Sequence, residues 1–330
     1  MNILVTGATG FVGHHIVRHL AKQMAADASD GEVVAVTRRT PEPNLAIKGV
    51  RWIRISDLGP DTDWRSALDG VDAIVHCAGV AQVSAHPTED ELQVLHSVNV
   101  AGTRQLATAA VEHGVERLVF LSSLKVHGET TTGRAPFSTD DVPAPQDAYG
   151  RSKLAAEASL MEVADRGDLS VVVLRPPLVY GEGVQGNFRA LLRAVQLGVP
   201  LPFGRVRNNR RSLIYVGNLV GAIWAALTMP RPSEAPIRCT TTVSDADDLS
   251  TAALLEALAQ ASHQLPLLVP VPQRAMRWAA QALDRTAVAD RLLGSLQVNP
   301  NDMQRLLGFQ PIFSASEGIW RTVRCGLTTR

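Results

Sequence analysis

Six short runs of Val, Ile and Leu, with helical patterns between them, restrict this chain to very few architectures. The runs fall at residues 2–6, 32–37, 51–55, 72–78, 117–123 and 170–175, and each predicts a strand. Between them lie helix-forming stretches such as HHIVRHLAKQM and the long SVNVAGTRQLATAAVEHG. A strand that is apolar along its whole length, rather than at alternate positions, is buried on both faces. Strands of that kind alternating with helices predict a doubly wound parallel α/β sheet with helices on either side. After residue 175 the rhythm loosens and prolines gather at Pro176, Pro177, Pro200, Pro202, Pro230, Pro232 and Pro236. The expected division is a sheet domain over 1–175, rejoined by a strand and helix at about 210–228, with a smaller, mostly helical cap from 176–209 and 229–330.

The first run leads into VTGATGFVG, which places Gly7, Gly10 and Gly13 three apart between a strand and a helix. Glycine there lets the backbone turn tightly and come close to a pyrophosphate seated at the helix N-terminus. In this strand–turn–helix setting the triplet predicts a Rossmann-type dinucleotide site. The second strand ends in Thr37-Arg38-Arg39 and lacks the carboxylate that grips a ribose 2′-hydroxyl. Two arginines suit a 2′-phosphate, so NADP(H) is expected ahead of NAD(H). Asp57 and Leu58, after the third strand, are placed to border the adenine.

Bulk properties narrow the class further. The chain has 330 residues, 45% hydrophobic and 19% charged, which is the make-up of a globular protein. Lys+Arg and Asp+Glu balance at 32 each, so overall charge gives no reason to expect a nucleic-acid or membrane-surface partner. Cys77, Cys239 and Cys325 lie far apart, which makes neither a disulfide framework nor a zinc site and fits a reducing compartment. With no leader-like N-terminus and no apolar run of membrane-spanning length, a cytoplasmic protein without bound metal is expected.

Tyr149 and Lys153 in YGRSK stand four apart in a stretch rich in helix formers, so their side chains share a face. Taken alone, that spacing fits a surface tyrosine packed on a lysine stem better than it fits a catalytic pair. Together with TGATGFVG, HCAG, VNVAGT and LSSLKVHGE in order, and with RPPLVYG, GNF and RLLGFQP further on, it resembles the extended short-chain dehydrogenase/reductases. The likeness runs along essentially the whole chain and is strongest to the group that modifies nucleotide sugars. It implies a catalytic trio of Ser123, Tyr149 and Lys153, and cofactor contacts from Gly7, Gly10, Phe11, Val12, Gly13, Ala78, Gly79 and Asn99 as well as from Tyr149 and Lys153. Hydride exchange at a carbonyl carbon requires a proton to move at its oxygen, which is the tyrosine's role. An ammonium about 4–5 Å away, at an effective dielectric near 20, is worth on the order of 3–4 kcal/mol, enough to pull the phenol pKa well below its usual value of about 10.

The departures from the pattern are informative. Sugar-nucleotide dehydratases of this group carry Asp-Glu after the serine, whereas Leu124 and Lys125 follow Ser123 here. Four readings stay open: an NADPH-dependent reductase of a UDP-4-keto-6-deoxy-N-acetylhexosamine, which the whole-chain pattern resembles most; a UDP-hexose or UDP-N-acetylhexosamine 4-epimerase; a reductase of another small carbonyl compound; and a regulator that binds the cofactor without turnover. For a UDP-sugar the resemblance implies contacts from Lys125, Asn187, Phe203 as a stacking face for uracil, and Arg211 on the diphosphate. Phe203 as core and Arg211 as a surface ion pair are the plain alternatives. Leu178 replaces an Asn found in several relatives, and His127 is expected to be structural. Relatives pair through two helices of each subunit, so a homodimer through the stretches near 88–113 and 150–166 belongs to the same expectation.

Overall fold

Valine, isoleucine and leucine fill β1 (Ile3–Thr6), β2 (Val33–Thr37), β4 (Ala73–His76), β5 (Arg117–Leu121) and β6 (Ser170–Arg175), and every residue of these five strands is buried. β3 (Val50–Arg54) is partly covered, as an edge strand should be. The computed structural model describes residues 1–26, 31–38, 47–81, 84, 86–231 and 235–327. Its main sheet has seven parallel strands in the order β3-β2-β1-β4-β5-β6-β9. The strand order reverses between β1 and β4, and a crevice opens at such a switch point beyond the carboxyl ends of the strands.

Successive side chains on each strand enter two separate cores. Ile3, Val5, Val75, Val119 and Val172 face one side, packed with α1 (Phe11–Ala26). Leu4, Val34, Ile74, Phe120 and Val173 face the other. There they meet α2 (Arg65–Leu68), α4 (Gly102–Glu112) and α5 (Ala148–Ala164). A capped helix, α3 (Glu89–Leu95), runs into α4 through a π-helical turn at His96–Ala101.

The second half departs from the expected division in two ways. β8 (Leu213–Tyr215) does not rejoin the main sheet but pairs in parallel with β7 (Leu178–Tyr180). The helix that follows, α7 (Val216–Thr228), does return: Arg117 at the foot of β5 donates to the Ala226 and Leu227 carbonyls at its end, at 3.1 and 2.5 Å. The seventh strand is β9 (Arg238–Thr242), inside the stretch expected to belong to the cap. After α6 (Gly186–Gln196), the remaining helices are α8 (Thr251–Ala261), α9 (Gln273–Ala282), α10 (Thr286–Leu293), α11 (Asp302–Leu307) and α12 (Ala315–Leu327). One core runs unbroken from the sheet through α7 to Leu255 and Leu258 of α8 and Ile319 of α12. Sheet and cap therefore share an interior.

Candidate active site

The glycine turn after β1 has the shape its spacing predicts. Gly7 has φ +68°, and a side chain there would meet the Ala78 backbone at 2.9 Å. A Cβ on Gly13 would lie 2.1 Å from the Gly7 carbonyl, so helix and strand pack at backbone distance. Gly10 N–H donates to Gly7 O at 2.9 Å, closing the turn. Phe11 and Val12 open α1 half-buried, and Ala78 is tied to the turn by its N–H to Thr6 Oγ1 at 3.2 Å. This cradle, which any Cβ would fill, fits a dinucleotide pyrophosphate.

At the adenine end the expectation is modified. Arg38 and Asp57 are both largely exposed, and they meet at 3.5 Å. A carboxylate missing from the end of β2 is therefore supplied from beyond β3, and it offsets part of the Arg38 charge. Arg39 lies outside the described residues. Leu58 does not border an open site with its side chain, because it is 5% exposed and packs in the core against α4.

The three residues expected to form the catalytic trio, Ser123, Tyr149 and Lys153, lie where the end of β5 meets α5. Ser123 leaves β5 extended and caps a single helical turn, its Oγ accepting from Lys125 N at 3.3 Å. Asp147 caps α5, with Oδ1 accepting from Gly150 N at 2.7 Å, and so places Tyr149 in the first turn. A Cβ on Gly150 would lie 2.6 Å from the Lys125 carbonyl, so glycine lets the two turns touch. Tyr149 lies near enough to Ser123 for the serine side chain to pull on its phenol. One turn on, Lys153 is buried, with its ammonium 4.1 Å from the centre of the Phe120 ring. A Cβ on Gly79 would come within 4.0 Å of that ammonium.

The electrostatics correct one expectation. The Tyr149 phenol is pushed up to about 12, by burial first and then by the Asp147 charge, against a smaller opposing pull from Ser123. The predicted fall under Lys153 does not occur, because desolvation disfavours the phenolate and no cation figures among the influences on it. Burial also draws Lys153 down to about 8, with Glu157 and then Cys77 opposing.

Asn99 acts as a clamp on nearby backbone and on Ser152. From the π-helical turn its Oδ1 accepts from Val80 N at 2.8 Å, and its Nδ2 donates to Val80 O and to Ser152 Oγ, both at 2.9 Å. Ser152 in turn donates to the Tyr149 carbonyl at 2.8 Å.

Of the substrate-side candidates, Lys125 and Arg211 are linked through residues that the sequence reading missed. Lys125 pairs with Asp147 and, at 3.0 Å, with Glu129; Glu129 also meets Arg291 at 3.8 Å. The Arg211 guanidinium is drawn down to about 10 by burial and by Arg291, with Glu129 opposing. Its Nη1 donates to Gly294 O at 3.3 Å. Glu129 stands four residues after Lys125, a spacing that could have marked the pair, whereas Arg291 lies far along the chain and nothing in the sequence marks it as their neighbour. Asn187 is exposed in the first turn of α6. Phe203 is not a stacking face: it is 7% exposed and belongs to the core. Leu178 stands 47% exposed on β7. His127 is structural, stacked on Phe137 and bonded to Arg175 at 2.9 Å, with its ring drawn down to about 4 by burial and Arg175.

A Rossmann-type sheet, a glycine cradle at its switch point and a serine–tyrosine–lysine cluster together define an extended short-chain dehydrogenase/reductase. The chain belongs to the NAD dependent epimerase/dehydratase family, whose model matches residues 3–238. It is 36% identical over 326 residues to a UDP-glucose 4-epimerase of Vibrio cholerae, covering 99% of this chain and 95% of that one. Among solved structures it superimposes on MoeE5 in complex with UDP-glucose and NAD with a TM-score of 0.77, at 26% identity and covering 100% and 99% of the two chains. A UDP-glucuronic acid 4-epimerase from Bacillus cereus in complex with NAD, 20% identical and covering 100% of each chain, shares the fold with a TM-score of 0.77.

Proposed function

We propose that this chain is a UDP-hexose 4-epimerase working with a nicotinamide dinucleotide. The end-to-end likeness to the Vibrio cholerae enzyme carries the reading. The site supports it, because epimerisation at C4 asks only for the serine–tyrosine–lysine trio. A dinucleotide in the glycine cradle would supply a hydride acceptor that is regenerated within each turnover.

The chain's own residues handle the proton. Tyr149 exchanges it with the sugar's O4, and Ser123 holds that oxygen through a shared hydrogen bond. Because the phenol is protonated at neutral pH, it needs positive charge nearby before it accepts a proton, and Lys153, one turn along α5, is the buried cation available. Lys125, Asn187 and Arg211 are the groups offered to the UDP diphosphate, and a homodimer through α4 and α5 is part of the same reading.

A second reading, NADPH-dependent reduction of a UDP-4-keto-6-deoxy-N-acetylhexosamine, is favoured by two observations. Arg38 is exposed at the end of β2, and a protonated tyrosine is already a proton donor. One experiment separates them: denature the purified protein, identify any nicotinamide released, and assay interconversion of UDP-glucose with UDP-galactose and of their N-acetyl forms. Retained NAD and interconversion, lowered about 10²–10⁴-fold in Tyr149→Phe, is the expected result. No retained nicotinamide, no interconversion and consumption of NADPH with a UDP-4-keto sugar would overturn the epimerase in favour of the reductase.

A further inference from the structure

A cavity of about 860 Å³ lies between α1, α6, α7 and the loop after β7, and it shares no lining residue with the Gly7–Gly10 turn, the catalytic trio or the Lys125–Arg211 cluster. Its charge is one-sided. Arg18 and Lys22 reach it from α1, and Arg189 and Arg193 from α6. The lining holds a single carboxylate, Glu182, which is already engaged by the Tyr215 hydroxyl at 2.8 Å. Among the described residues, Arg18, Lys22 and Arg193 have no carboxylate partner, while Arg189 only donates to Gln185 at 2.6 Å.

Histidines on α1 line the same hollow. His14 is held below its usual pKa by burial and then by the His15 and Arg18 charges, and its Nδ1 is buried without a hydrogen-bond partner. His19 is lowered by burial and then by Lys22. Four exposed cations set on two helices around one hollow concentrate positive potential inside it. Leu192, Val216 and Val220 give the same cavity an apolar wall, and its volume lies within the range of small-molecule sites.

We infer that this cavity binds a small oligophosphate anion, the class that includes nucleoside di- and triphosphates, separately from the catalytic cleft. The arginines from the two helices grip phosphate oxygens from opposite sides, and the apolar wall seats an attached ring system.

The test uses sodium tripolyphosphate as probe, titrated by calorimetry into the full chain already saturated with NAD and UDP, so that both phosphate sites of the catalytic cleft are filled. One equivalent is expected to bind. The affinity should fall at least tenfold in the double variant Arg18→Glu/Arg193→Glu and by a smaller factor in Lys22→Gln/Arg189→Gln, with the melting temperature of both variants kept. Loss of binding once NAD and UDP are present would return the probe to the cleft and overturn the proposal. So would an affinity unchanged in both variants.

Discussion

Helix α5 carries two carboxylate–cation sites, one on either side of Tyr149, and they are built on opposite principles. Glu157 is buried beneath the site, where Arg175 grips it with two bonds of 3.1 and 2.6 Å, Ser122 donates to it, and Arg175 reaches on to His127. Both side chains of that pair are under a tenth exposed. Asp147, at the helix N-terminus, pairs with Lys125 where each side chain is 32% exposed, and water can replace either partner. The buried site cannot lose a member without stranding a charge in a low-dielectric interior, whereas the exposed one can. The first therefore fixes the floor under Lys153, and the second is free to exchange partners with an incoming anion.

Breaking the buried site should have the largest effect. Arg175→Met leaves the Glu157 carboxylate unpaired and is expected to cost about 3–5 kcal/mol in urea unfolding. Adding Glu157→Leu should recover most of that loss, since an apolar pair of similar volume is often neutral. A double variant as unstable as the single one would show that Ser122 and His127 matter more than the pairing. Next comes Asp147→Ala, expected at about 1 kcal/mol for the lost helix cap, against less for Asp147→Asn, which keeps the cap and removes the charge.

The pH dependence sharpens that contrast. Burial would raise the Asp147 carboxyl, but Lys125 and the Gly150 N–H outweigh it and hold it below its usual range. Its contribution is therefore complete above the unfolded value of about 4 and is lost as pH falls below that. Melting curves of the parent and Asp147→Asn should converge in acid. A gap that stays constant with pH would rule out the charge as its source. Smallest is Lys125→Ala, expected within about 1 kcal/mol and shrinking as salt is added.

The half of the fold that could be read in advance is the half made of apolar strands. All six predicted runs became strands within a few residues, and the glycine turn has its expected form, because tight turns and doubly buried strands leave little choice of residue. β9 escaped notice because it reads RCTTT: Thr241 and Thr242 are fully buried, yet hydroxyls replace the valines that mark the other strands. The trio was visible as a motif, but its electrostatics were not, since the Tyr149 pKa depends on how much water the fold removes. Phe203 shows the converse, an aromatic residue in a suggestive sequence position that the fold uses as core. Arg38 acquires Asp57 only through the pairing of β2 with β3, which a single sequence does not display.

The Asn99 clamp has a mechanical consequence. One amide holds both the Val80 backbone, on the cofactor side of the cleft, and Ser152, which holds the Tyr149 carbonyl. Any sliding of α5 along its axis is thereby shared by the opposite wall, so the spacing between Tyr149 and the glycine cradle is insulated from drift of the helix. Alignment error has to enter from the cap instead, through the segments that carry Asn187 and Arg211. Differences among substrates are then expected to be tuned there, while the reacting geometry stays in register.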